Sequence, residues 1–239
     1  MTDVIRLRLG TSNAYLIGGK NRRILVDAGN ARKEKKFLRI MNQHDAAPSE
    51  IGLIIITHVH YDHVGSLKAI RALCHCPVAV HADEKGILDS GSGVLPKGVT
   101  KTGKWLIGLG RRLLRFYPEL FDFAAVDAEI ALKEELDLTE FGIPGRIIFT
   151  PGHTTGSVSV VLRDGKAFIG DLAINYLPFG GGPIFPPFAD NAAELLQSWE
   201  NLLAQNIISI FPGHGKPFSA KQLRRVWLRK MRQVVNTGT

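Results

Sequence analysis

The order of apolar segments predicts an α/β fold of two similar halves, each a sheet with helices on its outer side, packed sheet on sheet. Two observations carry this. Short apolar runs of strand length alternate with longer stretches of helical periodicity, and the order strands, helix, strand, helix occurs twice along the 239 residues. A third observation points to function: His58, His60, Asp62 and His63, all potential metal ligands, directly follow the apolar run Ile51-Gly52-Leu53-Ile54-Ile55-Ile56.

Val4 to Leu9 and Ala14 to Ile17 read as an alternating strand and its partner, and Arg23 to Val26 as a third strand ending at Asp27-Ala28-Gly29. Residues 33–43 set Phe37, Leu38, Ile40 and Met41 among basic residues in a helical pattern. The run 51–56 reads as a buried strand. After the ligand loop, Val64, Leu67, Ile70 and Leu73 predict one helix over Asp62 to Leu73, and Pro77 to His81 reads as a strand. Residues 86–123 break the rhythm. Gly91-Ser92-Gly93, Pro96 and Gly98 are breakers, and Trp105 to Tyr117 mixes apolar with basic residues, interrupted by Gly108 and Gly110.

The rhythm resumes with strands at Ile130 to Leu132, Arg146 to Thr150, Ser157 to Leu162 and Ala167 to Gly170, the last two joined by a hairpin turn. Asp190 to Gln205 reads as an amphipathic helix and Ile207 to Phe211 as a buried strand. Ser219 and Gln222 form a capping box opening a basic terminal helix that buries Leu223, Val226, Trp227 and Met231. The expected organisation is a single domain over 1–239, with 86–123 an inserted lid-like segment and 216–239 a basic terminal helix.

No apolar run approaches the roughly 20 residues of a membrane span. The first thirteen residues lack an apolar core followed by a cleavage site, so a cytoplasmic location is expected. Of the net charge of +8, residues 91–120 carry +5 and residues 216–239 carry +7, leaving −4 for the rest. Neither basic segment holds the presumed ligands. An anionic substrate or surface nearby and a solvated basic face both fit. The two cysteines, Cys74 and Cys76, are too few for a disulfide framework and read as buried thiols.

Alternate residues of an extended segment share a face, so His58 and His60 can reach one point while Asp62 and His63, past a turn, face a second. Imidazole and carboxylate suit zinc and similar transition metals. Three later strand ends add isolated ligands in glycine-rich turns: His153 in Pro151-Gly152-His153-Thr154-Thr155-Gly156, Asp171 after Gly170, and His214 in Pro212-Gly213-His214-Gly215. Glycine beside a ligand lets backbone approach a crowded site.

With the loop Thr57 to His63 followed in order by His153, Asp171 and His214, nearly the whole chain resembles the metallo-β-lactamase superfamily. The resemblance implies a four-layer αβ/βα sandwich of two mixed sheets with helices outside and a dinuclear site between the sheets. One metal would take His58, His60 and His153, the other Asp62, His63 and His214, with Asp171 bridging. The cofactors implied are two divalent ions, zinc first, with iron or manganese as alternatives. Histidine at both 58 and 60 departs from the diiron flavoprotein branch, which has glutamate at the second position. Asp27 matches a strand-end aspartate that in the family supports a ligand histidine, against a simple turn role. His44, His75 and His81 are left to structural or surface roles, His81 being a candidate support for a ligand.

The implied activity is hydrolysis by a hydroxide held between the metals, with Asp62 and Asp171 as catalytic carboxylates, of an ester, thioester or lactone. The chain is closest to the glyoxalase II-like and lactonase-like branches. About 25 residues follow His214, fewer than the helical region that binds glutathione in glyoxalase-type thioesterases. Some lactonases place a tyrosine three residues after the bridging aspartate, where this chain has Ile174, with Tyr176 two further on. A mononuclear iron persulfide dioxygenase and a phosphodiesterase or nucleic-acid-processing hydrolase are the alternatives. The apolar loop 172–189 and the segment Trp105 to Tyr117 could wall a pocket for a small apolar or amphipathic substrate or pack on each other. No nucleic-acid partner is expected. Residues 105–117 leave a lid, a contact with a second copy, or a membrane-surface contact open.

Overall fold

The structure, a computed structural model, describes residues 2–18, 22–117, 119–175 and 182–237, with side chains as far as 232. Twelve strands form two six-stranded sheets among these residues. The first contains β1 (Val4–Arg8), β2 (Asn13–Gly18), β3 (Arg23–Val26), β4 (Ile51–Ile55), β5 (Val78–His81) and β6 (Ile130–Leu132) in chain order. Its first three strands are antiparallel and β3 to β6 are parallel. The second runs β12-β11-β10-β9-β8-β7, built from β7 (Leu136–Asp137), β8 (Gly145–Phe149), β9 (Val158–Leu162), β10 (Lys166–Phe168), β11 (Ser209–Phe211) and β12 (Phe218–Ser219). Only β10 and β11 pair in parallel there.

Strand alternation sorts side chains into layers. Ile24 and Val26 face the second sheet, meeting Val158, Val160, Leu162 and Phe168, while Leu25 between them faces the helices. On that outer side α1 (Glu34–Gln43), α3 (Leu67–Cys74) and α4 (Ala82–Ser90) cover the first sheet with Phe37, Met41, Leu67, Ile70 and Leu88. On the far side α6 (Ala192–Leu203) and α7 (Ala220–Thr237) lay Trp199, Leu202 and Leu223 on Ile148, Val161 and Ile210. The result is the four-layer order expected: helices, sheet, sheet, helices. Asn191 caps α6 by accepting from the backbone N–H groups of Ala193 and Glu194. The Ser219–Gln222 capping box forms, with Gln222 Oε1 accepting from the Ser219 backbone N–H at 2.9 Å and Gln222 N–H donating to Ser219 Oγ at 3.3 Å.

The single helix expected over Asp62 to Leu73 is two: α2 (Tyr61–Val64) and α3. Gly65 and Ser66 are tied to the turn after β3 instead of continuing one axis. Gly65 N–H donates to Gly29 O at 2.8 Å and Ser66 Oγ to Asn30 O at 2.6 Å. A Cβ at Gly65 would lie 2.2 Å from Ala31 N. The helix α4 and the two-residue strands β7 and β12 carry too little periodicity to be read from sequence, whereas within residues 86–123 the helix α5 (Lys101–Leu114) runs unbroken through three glycines. Gly103 is needed there, since a Cβ would meet Pro187 O at 2.0 Å. The cysteines are free and buried, as expected.

Candidate metal centre

All seven candidate ligands converge at one edge of the groove between the sheets, where β3, β4, β8, β10 and β11 end. Three overlapping groups have donor atoms mutually within 4.8 Å: His58, His60 and His153; His58, His63 and Asp171; and Asp62, His63 and His214. Nε2 of His58, Nε2 of His63 and Oδ1 of Asp171 are buried without a hydrogen-bond partner, and the last two stand 3.5 Å apart. An orphaned buried polar atom costs about 1–3 kcal/mol. Three in one cluster of imidazoles and a carboxylate fit a cation, so the donor set suits the ions that the sequence implies.

The outer edge of each ring decides which nitrogen faces inward. Nδ1 of His63 donates to Asp27 Oδ2 at 2.9 Å, Nδ1 of His153 to Phe188 O at 2.9 Å, and Nδ1 of His214 to Thr11 O at 3.0 Å. Thr57 Oγ1 donates to Asp27 and accepts from Nδ1 of His58 at 3.1 Å. Each of these four rings thereby turns Nε2 toward the cluster. His60 is turned the other way, its Nδ1 being 3.2 Å from Nε2 of His153.

Burial holds the rings of His58, His60 and His153 below the ordinary imidazole range, His60 at about 3, so this trio is neutral. The same burial opposes charge on His63 and His214, but carboxylates outweigh it. Asp27 and Asp171 raise His63 well above its usual value, and Asp171 with Asp62 raises His214 to about 10. Asp62 is held down at about 2 and Asp171 well below the carboxylate range, in both cases by His214 and His63 against burial. Without a cation, two imidazolium protons balance the carboxylates. Nε2 of His214 lies 3.2 Å from Asp62 Oδ2 and 3.3 Å from Asp171 Oδ2.

Asp27 does more than turn the chain. It sits at φ 62°, a left-handed conformation that aspartate tolerates, and Oδ1 accepts the backbone N–H of Thr57 at 2.9 Å. Sequence reasoning missed several supports. Glu84, on the unread helix α4, is buried and accepts from Val59 N–H at 2.8 Å, fixing the loop between His58 and His60. Ser12 Oγ donates to Asp62 O. Asn13 Nδ2 donates to Pro212 O at 3.0 Å and Gly215 O at 2.9 Å, and Tyr15 OH to Pro212 O at 2.7 Å, which pins the His214 turn. The polar trio Thr11-Ser12-Asn13 between two apolar strands was the available signal. His81 instead caps α4, accepting from Asp83 N–H at 3.1 Å, and packs on Phe149. His44 and His75 end α1 and α3 as exposed residues.

A cavity of about 280 Å³ opens over the cluster. His60, Asp62, His153, Asp171 and His214 form its polar end, and Leu95, Leu106, Ile107, Phe121 and Phe188 its apolar wall. Residues 97–99 and 187–189 also pack on each other, Ala189 N–H donating to Lys97 O at 2.9 Å and Val99 N–H to Pro187 O at 3.0 Å. Tyr176, two residues beyond the position where some lactonases place a tyrosine, lies outside the described residues; Ile174, at that position, is buried.

A family profile described as the metallo-beta-lactamase superfamily matches residues 7–214. A beta-lactamase-like protein 2 homolog of Drosophila melanogaster is 27% identical over 87% of this chain, which spans 60% of that relative's length. A probable metallo-hydrolase of Methanocaldococcus jannaschii is 29% identical over 86% of this chain and 88% of its own length. Among solved structures, an archaeal metallo-beta-lactamase superfamily protein from Sulfolobus tokodaii superposes with a TM-score of 0.68 at 21% identity, over 97% of this chain and 87% of that one. The protein TTHA1623, solved in a di-iron-bound form, gives 0.62 at 21% identity over 94% and 98%.

Proposed function

The chain belongs to the metallo-β-lactamase superfamily, and from that premise we propose that it is a metal-dependent hydrolase of esters, thioesters or lactones with a small apolar or amphipathic acyl part. The observation that carries this reading is the joining of the three ligand groups to an apolar-walled cavity. His58, His60 and His153 would hold one ion and Asp62, His63 and His214 a second, with Asp171 reaching both. Two divalent ions so held supply Lewis acidity and a water ionised near neutral pH.

The chain's own residues do the rest. Asp62 accepts from Thr11 Oγ1 at 3.3 Å and faces His214, which leaves its carboxylate able to orient the attacking water and pass a proton to the leaving group. Asp171 sets the spacing of the two ligand groups. Leu106, Ile107 and Phe188 exclude water from the acyl side and orient the substrate by apolar contact. The pairing of neutral imidazoles with carboxylates favours zinc; the di-iron-bound structural neighbour keeps iron as the second candidate.

The test is metal analysis of the purified chain followed by turnover of thioesters, lactones, β-lactams and phosphodiesters before and after chelation. Ester, thioester or lactone cleavage that disappears with the metal and returns on its re-addition is expected. Activity retained in a verified metal-free sample refutes metal dependence. Cleavage of phosphodiesters alone refutes the acyl reading. A single iron per chain with oxygen-dependent turnover of a persulfide assigns dioxygenase chemistry in its place.

A further inference from the structure

The helix that walls the cavity has a second face that is exposed among the described residues. Gly103, Leu106, Ile107, Gly110 and Leu114 turn inward from α5, at the spacing of one helical face, and three of them line the cavity. On the opposite side Trp105 and Leu109 point outward, 68% and 46% exposed, with Leu113 beside them and Phe116, 72% exposed, and Tyr117 in the turn just past the end of the helix. Lys101, Lys104, Arg111 and Arg112 are exposed on the same helix, and no acidic residue occurs between Asp89 and Glu119.

We propose that the outer face of α5 docks the protein on an anionic lipid surface. Large apolar side chains exposed in water are unfavourable, so this patch favours an apolar partner. Charge selects which. A second copy would bring an identical basic helix against this one, and like charges facing each other oppose the contact. An anionic bilayer complements both features: basic side chains meet headgroups while tryptophan, tyrosine and phenylalanine enter the boundary with the acyl chains. The helix would lie in the surface, since among the described residues no helix is long and apolar enough to cross a membrane. Its inner face lines the cavity, so docking sets the acyl side of the site about 10 Å from the bilayer, one helix diameter. Docking needs no turnover, so its failure and that of the hydrolase reading are read separately.

The experiment is co-sedimentation of the full chain with vesicles of phosphatidylcholine plus phosphatidylglycerol, beside phosphatidylcholine alone, at low and high salt. Binding to the anionic vesicles, weakened by salt, is expected, with a blue shift of tryptophan emission that W105F reduces. Each basic residue at such a surface contributes about fivefold to partitioning, so K104Q/R111Q/R112Q is expected to lose about 100-fold. The variant W105Q/L109Q/F116Q keeps helix-forming residues and is expected to lose binding while its circular dichroism and metal content are unchanged. R225Q/R229Q, on the basic helix α7, is the control and binds as the parent. No binding to anionic vesicles overturns the proposal. So does loss in the α7 variant with retention in both α5 variants, or a dimer abolished by W105Q/L109Q/F116Q in a chain that ignores vesicles.

Discussion

Replacing Asp27 with asparagine tests how the second ligand group is built. Asparagine keeps the shape and tolerates the left-handed φ of 62°, so the backbone turn survives, but it exchanges one acceptor oxygen for a donor. If its oxygen takes the place of Oδ1, the 2.9 Å bond from Thr57 N–H is kept and an NH2 group faces Nδ1 of His63. Two donors cannot pair, so His63 moves its proton to Nε2, the nitrogen that must meet a cation. The opposite flip serves His63 and strands the buried Thr57 N–H, at about 1–3 kcal/mol. Losing a partner of this kind costs about 10–100-fold in metal affinity, or about 1.4–2.7 kcal/mol. His58, His60 and His153 do not touch Asp27 directly, so the loss is expected in one ion and not the other. Competition with a chromogenic chelator reads both: two equivalents in the parent, one tight and one weakened in D27N. Two equivalents bound with parental affinities would show that Asp27 plays only a turn role and refute the argument.

Two further outcomes follow from the same geometry. A Cβ at Gly213 would lie 2.4 Å from Asp171 Oδ1 and 2.7 Å from His63 Cε1, so Gly213→Ala is expected to cut metal content and activity at least tenfold while circular dichroism stays native; full metal content would refute the close approach. For the metal-free protein, stability is expected to peak near pH 6.5. Above it, His63 and His214 keep protons that the unfolded chain releases, and their contribution is lost as pH rises toward about 10, at no more than about 3 kcal/mol per pH unit. Below it, the unfolded chain protonates His58, His60 and His153 while the folded chain does not, at no more than about 4 kcal/mol per unit. Urea midpoints against pH in chelator read both limbs; a flat profile from 5 to 9 refutes the charge assignment.

Much of the fold was legible because a strand buried on both faces announces itself as an apolar run, as 51–56 does, and because α6 and α7 carry strong periodicity and caps. The run 207–211, expected as a buried strand, pairs only over Ser209–Phe211 with Ile210 buried, and Ile208 is 67% exposed. Elements held by other parts of the chain were not. The break at Gly65 is made by hydrogen bonds to Gly29 and Asn30, and β7 and β12 exist only as partners of β8 and β11. The seven candidate ligands could be named from residue type and glycine-rich turns.

The sequence by itself determined the layer order and the set of candidate donor residues, since both depend on local pattern and chemical type. Only the tertiary structure decided which nitrogen each histidine presents, that Glu84 and Asn13 brace the loops, that His81 caps a helix instead, and that α5 turns one face to the cavity and the other to solvent. Those are relations between residues up to 203 positions apart, as in the bond from His214 to Thr11, and no window of sequence contains both partners.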